Sequence, residues 1–228
     1  PFRFVPLLVV IVILVYLLHH LKSRRRQINS IFGLGIVTLT SFLVFLPLFR
    51  YLISNPGMFS YRVKTRMTGV EQPIQGSAWQ VFIDNTWDAL VMPFWDNGEI
   101  WVHSIPHRPA LDIVTAVLFA VGIVMVTIRY LRKRSWEDMF LLISIPILMM
   151  PSILSLAFPG ENPSLNRTGG AIIPIFVIVA LGLQAVIDAL SLKKTDILRK
   201  IGTWTVVIFL LVVPMVQNFN LVFTQYDE

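Results

Sequence analysis

The stretch LDIVTAVLFAVGIVMVTIRYLRKR, residues 111–134, decides the fold. No charged residue occurs from Ile113 to Ile128, and Arg129, Arg132, Lys133 and Arg134 then arrive together. An apolar run of about 20 residues, at a rise of ~1.5 Å per residue, crosses the ~30 Å hydrocarbon core of a bilayer. Lipid offers no partner to open backbone groups, so such a run is a helix. Basic residues at one end of an apolar span mark the cytoplasmic side.

Working outward, the same pattern recurs. Apolar segments at 4–21, 31–53, 111–130, 139–158, 170–192 and 202–222 predict an all-α polytopic membrane protein with six transmembrane helices. Lys22, Arg24, Arg25 and Arg26 follow the first segment, the Arg129–Arg134 cluster follows the third, and Lys193, Lys194, Arg199 and Lys200 follow the fifth. Twelve of the nineteen basic residues therefore fall in three alternate loops, which places those loops in the cytoplasm and the intervening ones outside. The net charge of +6 is read as an orientation signal facing anionic headgroups, and nucleic acid is not a partner. Composition agrees: 55% of residues are hydrophobic and 14% charged, where soluble domains carry about 25% charged residues. Cysteine is absent, which excludes disulfides and Cys-ligated metals. The sequence begins at Pro1, without a recognisable signal peptide, and is read as processed or as a piece of a longer chain.

Three regions follow: two helices in 1–53, an extracytoplasmic loop at 54–110, and four helices in 111–228. Structureless loops beyond about 15 residues are uncommon, so the long loop is expected to hold structure. Trp79, Phe82, Ile83, Trp87, Leu90, Val91 and Phe94 repeat at helical spacing, with Gln80, Asp84, Asn85 and Asp88 opposite and Ser77 placed to cap. This predicts an amphipathic helix over 77–94, lying on the outer leaflet, packed on its transmembrane neighbours, or both. Pro146 and Pro151 either kink the fourth span or break it to line a cavity.

The candidate site residues lie at the outer face. Arg62, Lys64 and Arg66 form an alternating basic run, suited to a phosphate or to plain solvation. Glu99, His103, His107, Arg108 and Asp112 crowd the segment WDNGEIWVHSIPHRPALD, residues 95–112. They suit sugar-phosphate recognition or a hydrogen-bonded scaffold; their spacing fits no standard metal-ligand pattern, and neither metal nor cofactor is expected. Arg167, in the short outer loop 159–169, either grips phosphate oxygens or serves as a helix-capping or loop-pairing residue. His19-His20 anchors the first helix at the interface, and Asp188 pairs with Lys193 or stays solvated.

Four stretches carry a resemblance: LPLFRYLISNPGMFSYR (46–62), WDNGE…PHRPALD (95–112), LFAVGIV (118–124) and PSLNRTGGAIIPIFVIVALGL (163–183). In this order they resemble the C-terminal half of GT-C superfamily glycosyltransferases, in the bacterial branch related to protein mannosyltransferases and aminoarabinose transferases. The resemblance implies transfer of a sugar from a polyprenyl-phosphate donor at the outer face of the bacterial inner membrane. It also implies a catalytic acidic residue in the first outer loop, for which this chain has no matching segment. No catalytic residue is assigned here, and the missing half is expected from a longer polypeptide or a membrane partner. A non-catalytic assembly subunit is the alternative; a transporter ranks last, because ionisable residues are scarce mid-span.

Overall fold

The structure, a computed structural model, describes residues 5–57, 61, 64–65, 68, 71–191 and 197–226. It is helical, with no strand among the described residues. The elements are α1 (Val5–His19), α2 (Arg24–Ser54), α3 (Ala78–Val91), α4 (Ile113–Lys133), α5 (Trp136–Ile153), α6 (Leu165–Thr168), α7 (Ile172–Ser191) and α8 (Ile197–Asn220). Short 3₁₀ turns occupy Trp101–His103, Pro159–Glu161 and Gly169–Ala171. Among the described residues, five stretches are long and apolar enough to cross a membrane: Arg24–Ser54, Ile113–Lys133, Trp136–Ile153, Leu165–Leu190 and Ile201–Gln225. The apolar part of α1, Leu7–His19, is shorter.

The bundle is organised around α4 and α7. At their crossing a Cβ on Gly122 would stand 2.2 Å from the Ile178 carbonyl oxygen, and one on Gly182 would stand 2.1 Å from that of Leu118. Each glycine therefore admits the partner's backbone where any side chain would block it. Between membrane helices, close approach through small residues is the main source of packing, since lipid supplies no hydrophobic drive. Leu118, Phe119, Val126, Ile175 and Ile178 are buried around the crossing.

Next in the chain, α5 turns back on α4 through a tight connection. Arg134 ends α4 in the left-handed region (φ 52°), its N–H donating to the Tyr130 carbonyl at 2.7 Å. Ser135 starts α5, and Glu137 and Asp138 fill its first turn, where the helix dipole favours acids. The turn brings the Arg129 guanidinium onto the Asp138 carboxylate, Nε lying 3.0 and 2.9 Å from its two oxygens. Asp138 is 1% exposed, so this fork neutralises a buried charge. Here α5 runs unbroken through Pro146 and Pro151, which bear on its shape without dividing it.

The C-terminal ends of α1 and α4 and the N-terminal end of α5 meet through aromatic rings. Tyr16 packs edge-on to Trp136 at 5.3 Å, and His19 lies 5.8 Å from Tyr130. His19 and His20 each bond a carbonyl one turn back, at 2.7 and 2.9 Å. By contrast α2 has no buried residue, and its Ser30, Gly33, Leu34 and Val37 line an open cavity together with Val12, Ile13 and Tyr16 of α1. It begins earlier than the apolar run predicts, taking Arg24, Arg25 and Arg26 into its first turns. Asp188 accepts from Gln184 at 2.8 Å; its expected partner Lys193 lies outside the described residues.

Replacing Gly182 with Ala is expected to push α4 and α7 apart at a cost of about 1–3 kcal/mol, typical of overpacking. Gly33→Ala, with nothing within 4 Å of its Cβ, is the matched control and is expected to leave stability unchanged or raised. Thermal unfolding of both variants in one detergent checks this.

Candidate site at the loop end of the bundle

The loop end is built on α3. Its Val81, Asn85 and Ala89, one turn apart, are buried against the bundle. The predicted apolar face points the other way: Trp79 is 69%, Ile83 49% and Trp87 66% exposed. The inward face is thus the one that carries Asn85, which helical periodicity alone assigns to the polar side. Asn85 Nδ2 donates to the Ile153 carbonyl at the end of α5 at 2.9 Å. Asn162 Nδ2 donates to the Asn85 carbonyl at 3.0 Å, and Ser152 Oγ donates to Asn162 Oδ1 at 2.8 Å. The Ser164 N–H completes the chain by donating to Ser152 Oγ at 3.1 Å. This buried network ties α3, α5 and the 159–169 loop into one body. Ser77 sits at the N-cap position of α3 with extended backbone and makes no side-chain cap.

The 95–112 segment folds as a second body on the first. Asp96 Oδ1 accepts the Gly98 N–H at 2.7 Å, and Asp96 Oδ2 lies 3.1 Å from His107 Nδ1. Asn97 pairs with Arg108 backbone to backbone at 2.8 Å, accepts the Arg108 N–H at 3.3 Å, and donates to the Ile105 carbonyl at 2.9 Å. Gly98 (φ 88°) presses on the other loop: a Cβ there would stand 2.4 Å from the Pro163 carbonyl oxygen. Glu99 Oε2 reaches to 3.9 Å from a Cβ on Gly160. Ala110 and Leu111 return the chain by donating to the Met92 and Pro93 carbonyls.

The predicted site residues divide accordingly. Asp112 caps α4, accepting from the Thr115 N–H at 3.0 Å and its hydroxyl at 2.6 Å, and from Asn218 of α8 at 3.3 Å. Arg167 pairs with Glu161 and donates to Ser155 Oγ at 2.6 Å, the loop-pairing alternative. His107 is exposed and held by Asp96, while Glu99 and His103 are exposed. Arg62 and Arg66 lie outside the described residues. No group of three or more His, Asp or Glu that could hold a metal ion occurs among the described residues.

Arg108 is the residue of most chemical interest. Among the described residues, two buried side-chain polar atoms have no hydrogen-bond partner: Arg108 Nη1 and Ser164 Oγ. Ser164 follows Pro163, and Arg108 pairs with Asn97 beside Gly98, so both flank the joint between the loops. Burial lowers the Arg108 pKa from its usual value, and Asp112 partly opposes this. A guanidinium stays charged across the physiological range, so Arg108 is a cation with an open N–H. An anionic oxygen satisfies such a donor. Desolvation, with Asp84 and Asp96 nearby, raises the Asp88 pKa. Asp96 is lowered by the Gly98 N–H and by His107.

Sequence reasoning passes over Asp96, Asn97, Ser152 and Asn162. Asn97-Gly98 and Asn162-Pro163 are turn dipeptides and carry a signal for the two bends. Nothing local to Ser152 or Asn85 tells that Asn162 links them. Comparison with known family models, with curated proteins and with solved structures returns no match for this chain.

Gly98→Ala is expected to clash with Pro163 and to strain a positive φ, loosening both loops together. Hydrogen exchange checks this: amides of 95–112 and 159–169 should speed up by a common factor, about 10-fold for ~1.4 kcal/mol. Faster exchange in 95–112 alone would mean that the joint does not couple them.

Proposed function

We propose that this chain is the C-terminal part of a membrane glycosyltransferase that takes a sugar from a polyprenyl-phosphate donor at the outer face of the bacterial inner membrane. One observation carries the proposal: the two loops with the sequence resemblance pack into a single platform, and Arg108, whose backbone is held in it by Asn97, keeps an open side-chain N–H. Sugar transfer leaves negative charge on the departing phosphate, and a positioned guanidinium in a water-poor site stabilises that charge. Arg108 is assigned this contact. Arg167 holds the 159–169 loop in shape by engaging Glu161 and Ser155. No residue of this chain is assigned as the general base. In this proposal an acidic residue supplies it, from a membrane segment that joins the bundle in the same polypeptide or in a partner.

The membrane placement follows the same logic. The chain crosses six times, α1 included, with its three basic clusters in the cytoplasm and 54–110 and 159–169 outside. In this arrangement α3 lies in the outer headgroup layer. Its Val81–Asn85–Ala89 face grips the protein, and Trp79, Ile83 and Trp87 turn toward lipid. Trp95 and Trp101, 77% and 68% exposed, extend the aromatic belt.

The direct test is donor-phosphate binding by the purified chain. A polyprenyl phosphate should raise the unfolding temperature where the matching prenol does not. Arg108→Gln should weaken the binding by about 10- to 100-fold, as expected for a charge-assisted contact of ~1.5–3 kcal/mol. Equal responses to phosphate and prenol would overturn the proposal. An assembly subunit would then stand, supported by the wholly unburied α2, and it predicts a stoichiometric membrane partner in mild detergent.

For α3, Trp79 and Trp87 fluorescence should be quenched by lipids brominated near the headgroup more than by lipids brominated near the chain end. The reverse order would place the helix elsewhere.

A further inference from the structure

The C-terminal end of α8 reaches across to the 95–112 segment. Along α8, Val207 is buried, and every other residue from Ile201 to Asn220 is half-buried or exposed. Beyond that light packing, two polar side chains make contacts at sequence separations of 106 and 124 residues. Asn218 Nδ2 donates to Asp112 Oδ2 at 3.3 Å, and Tyr226 Oη donates to the Val102 carbonyl at 2.9 Å.

A polar residue at the end of an apolar span is ordinary, and solvation alone accounts for the presence of Asn218. The Tyr226 contact needs a change in the helix itself. After Asn220 the backbone widens into a π-turn, Leu221–Gln225, closed by the Tyr226 N–H on the Leu221 carbonyl at 3.0 Å. An α-turn closes one residue sooner, so an α-helical continuation would carry Tyr226 round to another side. Turns of this kind occur mostly singly and frequently at functional sites. Here Phe219 and Phe223 stay together on one side, 4.8 Å apart and exposed, while Tyr226 meets the loop.

The two contacts bracket Arg108. Val102 lies in the 3₁₀ turn Trp101–His103 before it, and Asp112 follows it at the start of α4. Asp112 is also the carboxylate whose charge acts on Arg108. Asn97 holds the Arg108 backbone from one side, and α8 holds the chain before and after it. A donor fixed in place before a ligand arrives loses less freedom on binding, and the ligand binds more tightly for it. We propose that Asn218 and Tyr226 are positioning residues for Arg108, which makes the end of α8 a third part of the site beside the two loops. The inference rests on the assignment of a phosphate to Arg108, and in it neither α8 residue touches the ligand.

The test compares the unsubstituted chain with Asn218→Leu/Tyr226→Phe, which removes both donors at nearly constant size. Amides of 99–110 should exchange faster in the variant. Its affinity for polyprenyl phosphate should fall about 10-fold, equivalent to ~1.4 kcal/mol, while its response to the matching prenol stays as it was. In an Arg108→Gln background the same pair of substitutions should weaken binding by much less, because nothing remains to be positioned. Met215→Leu, at an exposed position of the same helix, should change neither readout. A short cross-linker between thiols in Val102→Cys/Tyr226→Cys should restore the affinity that this variant lacks before cross-linking. Unchanged exchange and affinity in Asn218→Leu/Tyr226→Phe would overturn the proposal. An equal loss with and without Arg108 would do so too, since α8 would then be merely structural, and so would loss of binding on cross-linking. Equal responses of the unsubstituted chain to phosphate and prenol would remove the Arg108 assignment and this inference with it. A normal difference that the α8 variant leaves intact removes this inference alone.

Discussion

The close backbone approach where Gly122 of α4 meets Ile178 of α7 and Gly182 meets Leu118 sets the geometry of what is built on it. Backbone contact at that point fixes the axis of α4, and α4 carries Asp112 at one end and Arg129 at the other. Asp112 ties the return of the 95–112 segment to α4 and, through Asn218, to α8. Arg129 ties α4 to α5 through buried Asp138. From α5, Ile153 and Ser152 hold Asn85 and Asn162. A change in the crossing therefore reaches the loop joint by rigid contacts, first helix to helix and then through a buried amide network.

The loop end has its own balance of forces. Backbone groups in irregular loops must find partners, and here side-chain amides supply them: Asn85 for α5, Asn162 for α3, Asn97 for the 95–112 segment. An amide carries both donors and an acceptor without charge, so it can be buried at low cost when every group is paired. Against that well-satisfied background the open Nη1 of Arg108 is conspicuous. A buried, unpaired donor costs about 1–3 kcal/mol or more for a charged group, and a ligand that pairs it recovers that energy as affinity. That balance is the physical ground for assigning Arg108 to a phosphate.

Much of the fold is legible in the sequence because bilayer physics is severe. Length, apolarity and basic flanks mark α4, α5, α7 and α8 to within a few residues, and α3 appears through its 3.6-residue period. The period does not say which face is buried. The large aromatic face of α3 has the stronger signal and is the outward one, whereas the packed face holds Val81, Asn85 and Ala89. The site is less legible, because it depends on contacts between residues far apart in sequence. Arg167 is visible as an arginine in a short loop, yet only its Glu161 and Ser155 partners define its part. Arg108 is visible as one charged residue among several, and its burial alone separates it from His103 and Glu99.

The central claim is that the 95–112 and 159–169 loops form one platform. The chain contains no cysteine, so a pair of introduced thiols reports without background. Glu99→Cys with Gly160→Cys, treated in membranes with a short thiol-reactive cross-linker, measures the joint directly. Rapid intramolecular cross-linking, at a rate well above that of Glu99→Cys paired with Gly33→Cys, is the predicted result. Two thiols that each label readily but never cross-link would contradict the account.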